Sequence, residues 1–413
     1  MFPESKIPIA TRFLLPALAL IPGHAQVATP TTASLTEAEA VSRALARPEW
    51  QAVTQLPALQ SEGTAKEART WLAPGLEWDR QRFTGPLPNR REDTILLTQG
   101  VDVSGRWMAK REAALKRQDA GKAESTVRTA QVASQVRQAF FEVVAARERS
   151  KRMDRALARL GKVQEQVDRL HAAGEMSGLD HGRIGREMEI LKGRQAQESV
   201  ALVQAEARLA AMVGSSLTDL QGTLLPPAPE PLDQLLSRQQ AGPSSVMTKA
   251  LEGAAQADAK VARRWMPDLQ LGVGVKRWQE NGLSGNGSVL SLGVALPMPG
   301  RVQGNRIKAE AEARATAAQA KLQREQEESE LRSLWQEATQ LRASAEGMSQ
   351  ATVDPAKVEA ALDAAFAAGE MDLLARLDGA RSLLDAELAS LEQAHRARLA
   401  CIALDRLIGK VNP

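Results

Sequence analysis

The chain of 413 residues has little of the material from which most compact folds are built. It has one cysteine and no tyrosine, and 7 Trp and 6 Phe are all of its aromatic side chains. One cysteine cannot pair within the chain, so a disulfide scaffold is excluded. Because aromatic side chains supply much of a large apolar core, their scarcity argues against a single compact globule.

An excess of charge of one sign is also missing. The 53 Lys and Arg residues are balanced by 50 Asp and Glu residues, and both signs are interspersed along the chain. Without a basic tail or stripe, nucleic acid is not an expected partner. The hydrophobic share of 43%, much of it Ala, is typical of long helices and coiled coils. We therefore predict an elongated, mainly α protein with a small β part.

Long apolar runs are absent as well. The clearest run, Phe13 to Ile21, follows Lys6 and Arg12 and is far shorter than the ~20 residues of a spanning helix. Together with the small residues that end at Ala25, it predicts a bacterial secretory signal peptide over residues 1–25. The mature protein is therefore expected to be exported and to lack helical membrane spans.

The chain repeats itself at a constant offset of 195 residues. The matches are spread over about a hundred residues in one register, which chance identities in an Ala-rich chain would not produce. They are Gly105-Arg106 with Gly300-Arg301, Ala172 to Met176 with Ala367 to Met371, Gly214 with Gly409, and Arg137, Phe140 and Glu142 with Arg332, Trp335 and Glu337. We predict two copies of one unit.

This duplication predicts the domain organisation of the mature chain. The first copy is expected over residues 26–225 and the second over residues 244–413. Residues 226–243 between them are rich in proline and are expected to form a linker.

Each Gly-Arg pair precedes a long segment in which apolar residues recur at every third or fourth position. This spacing predicts long helices from 105 to about 172 and from 300 to about 367, with a kink at Pro355 in the second. Each would end at a glycine, Gly174 or Gly369, in the left-handed conformation. Return helices at about 180–213 and 373–408 would complete antiparallel hairpins over residues 105–214 and 300–409.

The residues before each Gly-Arg pair alternate between apolar and polar side chains, as strands with one buried face do. Leu271 and Val273 lie on an apolar face, whereas Arg80 and Arg82 interrupt that face in the first strand. A segment rich in Gly, Asn and Ser, Asn281 to Gly287, is expected to be a turn. The predicted strands lie at about 75–84, 93–103, 268–278 and 288–298.

Strands of this length with one apolar face fit a transmembrane β-barrel, in which about 9–11 tilted residues cross the hydrocarbon. The alternative is a soluble antiparallel sheet that packs on a helix. Four strands cannot close a barrel, and an open edge in lipid would leave backbone groups without hydrogen bonds. If the strands lie in a membrane, several chains must therefore share one barrel.

In this combination the chain resembles the outer-membrane efflux factor family, the TolC-like exit ducts of export systems. The resemblance extends from Leu35 to Gly409. It rests on the opening helix Leu35 to Ala46, the Leu-Thr-Gln-Gly-Val-Asp-Val-Ser-Gly-Arg stretch at 97–106, the strand start Pro267-Asp268-Leu269, the two Ala-Gly-Glu-Met turns and the closing residues 404–409.

The resemblance implies a homotrimer in the outer membrane that extends into the periplasm. Each chain would give four strands to a shared twelve-stranded barrel, which an α-barrel of twelve helices would continue. It also implies that short helices placed end to end take the place of long ones, which suits residues 244–265 as a partner to 373–408.

The implied functional residues lie at the hairpin tips, where a periplasmic adaptor would dock and the tunnel would narrow. The adaptor-contacting candidates are Gly174, Glu175, Met176, Gly369, Glu370 and Met371. In drug-exporting members of the family aspartates ring the closed entrance, and Asp378 and Asp180 are the candidates for such a gate. A complete double ring is not expected, because Ala375 and Arg183 occupy the other matching positions.

The predicted function is a passive outer-membrane exit duct for small molecules or metal ions. An inner-membrane pump would deliver the cargo through the periplasmic adaptor. Two alternatives remain open: the duct of a type I protein secretion system, and a soluble periplasmic coiled-coil adaptor or scaffold. The chain carries no motif for catalysis, and we expect neither an enzyme nor a cofactor or metal site. His171 and His181 beside the first tip are expected to be exposed polar residues at helix ends.

Overall fold

The computed structural model describes residues 34–85, 89–214, 219–264, 269–294, 296, 298–351 and 354–411. The signal peptide predicted for residues 1–25 lies outside these ranges, as do Pro267 and Asp268. The helices are α1 Glu37–Ala46, α2 Pro48–Arg69, α3 Arg106–Ala172, α4 Gly178–Val213, α5 Leu232–Ala241, α6 Pro243–Arg263, α7 Pro299–Ala351, α8 Pro355–Ala367 and α9 Leu373–Leu407. The strands are β1 Leu35–Thr36, β2 Gly75–Phe83, β3 Arg90–Val101, β4 Leu220–Gln221, β5 Leu269–Glu280 and β6 Leu283–Val294.

The offset of 195 residues relates α4 to α9, as the sequence predicted. It also relates helices for which the sequence showed no match, α1 to α5 and α2 to α6. Residues 232–241 of the predicted linker form α5, the counterpart of α1. We therefore propose that the second domain begins before residue 244 and that only the prolines at 226–231 connect the two copies.

The long helices follow the expected pattern in the first copy and differ from it in the second. Helix α3 covers 67 residues, about 100 Å at 1.5 Å per residue. In the second copy α7 ends at Ala351 and a new helix, α8, starts at Pro355. The kinked but continuous helix predicted there was wrong. Proline has no amide hydrogen, so it fits the first turn of a helix, where that hydrogen would have no partner. The carboxylate of Asp354 caps α8, since it accepts a hydrogen bond from the amide of Ala356 at 3.1 Å.

The four longer strands form one antiparallel sheet in the order β2-β3-β5-β6. Strands β5 and β6 are joined by Asn281 and Gly282 alone, both with positive φ, which is the geometry of a two-residue hairpin turn. The longer turn predicted over Asn281 to Gly287 was therefore wrong, because Leu283 to Gly287 already pair with β5. Among the described strands, β2 and β6 each have one paired edge within this sheet.

The core is thin and follows the helices. Phe140 and Phe141 are fully buried in the middle of α3, in edge-to-face contact at 5.2 Å, and pack with residues of α1, α4 and α9. A second cluster lies near the hairpin tips and includes Val167, Ile184 and Leu377. Most buried side chains are Ala, Val or Leu. Because these side chains are small, the helices pack close together and the core between them is narrow.

Candidate functional site: the sheet faces and the hairpin tips

One face of the four-stranded sheet is apolar across all four strands. Its central row joins Leu76, Leu97, Val273 and Leu290, which are direct neighbours in the ladder. These side chains are exposed, Leu290 to 84%. The neighbouring rows add Trp78, Ile95, Val275, Leu271 and Leu292, also exposed. An apolar surface of this extent is unfavourable in water and is typical of a surface that contacts another protein or a membrane.

The opposite face carries small and polar side chains. Gly272 lies between Thr98 and Ser291 in the ladder, and the row at Lys276 contains Thr94 and Gly287. Glu92 on this face is buried and forms ion pairs with both Arg90 and Lys276. The alternation predicted from the sequence is thus present, although Leu96 and Val289 also lie on this polar face.

The arginines that interrupt the apolar face lie towards the β2–β3 connection. Arg80 forms an ion pair with Asp93 at 2.5 Å and lies over the ring of Trp78 at 4.8 Å. Arg91 contacts the same carboxylate at 3.1 Å. The two guanidinium groups therefore share the carboxylate of Asp93 beyond the apolar rows. The apolar band from Ile95 to Val101 is about 20 Å long.

Strand β3 leads into the long helix α3 through a capped junction. Gly105, at the N-terminal end of α3, has a φ of 67° and no side chain to cap the helix. Asp102 supplies the cap, since it accepts hydrogen bonds from the amides of Ser104 at 2.9 Å and Trp107 at 2.5 Å. Trp107 stacks on Trp71 with 6.1 Å between ring centroids. This packing holds α2 and α3 together where they meet the sheet.

Both hairpin tips have the same backbone geometry. At the first tip, Gly174 has a φ of 77° and the amide of Glu175 donates to the carbonyl of Leu170 at 2.9 Å. At the second tip, Gly369 has a φ of 73° and Glu370 donates to Ala365 at 2.9 Å. These are the bonds of a Schellman motif, in which glycine allows the left-handed residue. The predicted turns therefore have the conformation expected for Gly174 and Gly369.

The tip candidates differ in exposure. Glu175 and Glu370 are exposed on the outside of their turns, while Met176 and Met371 are half-buried. Met176 packs against the second core cluster. The candidate adaptor surface is thus most accessible at Gly174, Glu175, Gly369 and Glu370.

The two gate candidates are in different environments. Asp180 belongs to the N-terminal cap of α4: its amide donates to Ser177 Oγ at 3.1 Å, and its carboxylate accepts from the same hydroxyl at 2.7 Å. Arg183 also approaches Asp180 at 3.5 Å. Asp378 is exposed on the second turn of α9. Asp378 is therefore the better candidate for a charge that faces a channel.

An ion pair between the hairpins was not found by sequence reasoning. Glu187 of α4 accepts two hydrogen bonds from Arg381 of α9, one of them at 2.7 Å. The guanidinium of Arg381 lowers the pKa of Glu187 below its usual range. The two residues are far apart in the chain, and no local pattern marks them as partners.

Comparison with known proteins identifies the architecture. The cobalt-zinc-cadmium resistance protein CzcC of Cupriavidus metallidurans is 27% identical over 333 residues, 78% of each chain. The outer membrane protein VceC of Vibrio cholerae has a TM-score of 0.75 at 17% identity, over 90% of this chain and 96% of that one. The CmeC outer membrane channel of Campylobacter jejuni has a TM-score of 0.78 at 13% identity, over 97% and 94%.

The resemblance to the outer-membrane efflux factor family is confirmed. The TolC-like fold of duplicated helical hairpins and a small sheet was predicted correctly. No protein-family model matches the chain.

Of the helices in the described part of the chain, none has both the length and the apolar character required to cross a membrane.

Proposed function

We propose that the protein is the passive exit duct of a tripartite efflux system. Three chains would form the duct, an inner-membrane pump would supply cargo and energy, and a periplasmic adaptor would join pump and duct. The observation that carries this proposal is the exposed apolar face of a sheet whose strands run directly into long helices.

The sheet supports the trimer. Its outer strands β2 and β6 each leave one edge without a partner within the sheet, and its apolar face is exposed. In lipid, unpaired edge groups would each cost several kcal/mol, so the edges must pair with other chains. Three copies of four strands give twelve, within the range of bacterial barrels.

The mass of the detergent-extracted particle tests this proposal. We expect about three chains per particle by native mass spectrometry, recovered from the outer-membrane fraction only with detergent. The same particle should conduct ions across a planar bilayer. A monomer or dimer in the detergent-free periplasmic extract would contradict the duct and support the soluble adaptor alternative.

We propose divalent metal cations as the cargo. The relative CzcC is named for resistance to cobalt, zinc and cadmium. Deletion of the gene should lower the inhibitory concentrations of these three metals several-fold and leave the inhibitory concentration of an apolar dye unchanged. Sensitivity to the dye without sensitivity to the metals would indicate a drug duct instead.

The exposed tips, Gly174 to Met176 and Gly369 to Met371, are the proposed adaptor surface, and Asp378 is the proposed gate charge. Three exposed carboxylates near a narrow axis would favour cations. Asp378→Asn should therefore shift the reversal potential in a KCl gradient towards zero. Asp385→Asn, an exposed residue two turns further along α9, is the matched control and should leave the potential unchanged. Equal effects of the two variants would exclude a specific gate at Asp378.

A further inference from the structure

Two imidazole rings meet at the first hairpin tip. His171 lies in the last turn of α3 and His181 in the first turn of α4. Their ring centroids are 4.8 Å apart and the ring planes differ by 17°. Both side chains are exposed, so ions in the surrounding water can reach them.

One nitrogen of each ring already has a protein partner. His171 Nδ1 lies 3.0 Å from the carbonyl oxygen of Met176, and His181 Nε2 lies 2.9 Å from Asp168 Oδ1. Both partners are acceptors, so the neutral rings donate from these nitrogens. The lone pairs then lie on His171 Nε2 and His181 Nδ1. Histidines that ligate metals are held in this way, by a carbonyl or carboxylate that fixes the tautomer and raises ligand basicity.

The second hairpin shows that the tip does not need these imidazoles for its structure. At the offset of 195, His171 corresponds to Phe366 and His181 to Arg376. Both of these residues are buried. Asp168 corresponds to Asp363, and Arg376 forms an ion pair with it at 2.5 Å.

A permanently charged arginine thus links the two arms of the second hairpin where a histidine links those of the first. The chemical difference between the tips is a pair of exposed imidazoles in place of a buried phenyl ring and a buried guanidinium.

We propose that His171 and His181 bind one divalent transition-metal ion at the first hairpin tip, with water completing its coordination. Imidazole is a preferred ligand of Zn²⁺, Cu²⁺ and Ni²⁺. Within the described ranges, no group of three or more His, Cys, Asp and Glu side chains is placed to hold a metal ion. Two protein ligands at an exposed position predict weak, exchangeable binding. Weak binding of this kind would allow brief contact with a metal ion that passes through the duct. That transport role rests on the proposed function, whereas the metal binding itself does not.

Zinc titration of the purified full-length protein in detergent, without a histidine tag, tests the site. Isothermal titration calorimetry at pH 7.5 should show one Zn²⁺ per chain. The substitutions His171→Phe and His181→Arg install the residues of the second tip, and His181→Arg keeps an ion pair with Asp168. Each should weaken binding about ten-fold or more. As a control, Glu189→Gln removes an exposed carboxylate from α4, the helix that carries His181, and should leave zinc binding unchanged.

Two results would overturn the metal site: no Zn²⁺ binding by the native protein, or unchanged binding in the double variant with unchanged helix content by circular dichroism. Bilayer conductance of the native trimer reports on the duct independently, so the failure of one proposal is distinguishable from the failure of the other.

Discussion

Gly409 lies directly against Pro243, so that the end of α9 meets the first turn of α6. A Cβ atom at Gly409 would lie 2.5 Å from Pro243 Cδ. The same junction occurs 195 residues earlier, where Gly214 after α4 contacts Arg47, the residue before α2. Short helices are therefore placed end to end in both copies, as the family resemblance implied for residues 244–265 and 373–408.

Gly409→Ala should destabilise this junction. Its φ of 75° is strained for alanine by about 1–2 kcal/mol, and the rigid proline ring blocks the new methyl group. The matched control is Gly214→Ala, which has a φ of 79° but meets the flexible side chain of Arg47 at 3.1 Å. Thermal unfolding in detergent should show a lower midpoint for both variants and a clearly larger shift for Gly409→Ala. Equal shifts would mean that contact with Pro243 adds nothing to the strain.

Arg137 joins three helices in the first core cluster. Its side chain is 4% exposed and contacts Glu37 of α1 at 2.5 Å and Asp405 of α9 at 2.8 Å. Removal of a buried partner leaves uncompensated charges, so Arg137→Met should cost about 3–5 kcal/mol of unfolding free energy.

The repeat supplies a matched control for this substitution. Arg332, at the equivalent position, is 52% exposed and pairs with Glu328 on its own helix. Arg332→Met should therefore cost less than about 1 kcal/mol. Denaturant unfolding of the two variants measures the difference in unfolding free energy. Similar losses of unfolding free energy would show that burial does not determine how much the Arg137 ion pairs stabilise the protein.

The pair Arg137 and Arg332 also shows what the sequence could reveal. Their match at the offset of 195 identified the repeat, and the glycines Gly174 and Gly369 located both tips because a left-handed helix end depends on local sequence. The difference in burial was not visible, since it depends on which helices pack on each copy.

Other features escaped the sequence for a similar reason. The small and polar residues Ser284 to Gly287 look like a loop, but the Asn281-Gly282 turn and pairing with β5 hold them in a strand. The ion pair of Glu187 with Arg381 joins residues from different copies, and no periodic pattern predicts such a contact.

Neighbouring residues on opposite faces of β3 test which face meets lipid. Leu97 belongs to the central row of the apolar face and is 49% exposed, while Thr98 lies on the polar face beside Gly272 in the ladder. Arginine on a lipid face costs about 2–4 kcal/mol near the middle of the membrane. Leu97→Arg should therefore reduce the amount of protein in the outer membrane, measured by quantitative immunoblotting, whereas Thr98→Arg should reduce it less. The reverse order would assign the apolar face to the channel interior.

His395 should make the stability of the α3–α9 contact depend on pH. The side chain is buried, and its Nε2 lies 3.5 Å from a carboxylate oxygen of Glu142 without a hydrogen-bond partner among the described groups. Burial lowers the pKa of His395, with Arg149 acting in the same direction and Glu142 and Glu392 opposing it.

The sign of the effect follows from the lowered pKa. Between the folded pKa and the unfolded value of about 6.5, the unfolded chain binds the proton and the folded chain does not. Acidification through this window therefore destabilises the fold, by at most about 1.4 kcal/mol per pH unit and per chain. His395→Gln cannot titrate, so its unfolding midpoint should change less between pH 7.5 and 5 than that of the native protein. Parallel curves would show that other groups cause the acid sensitivity.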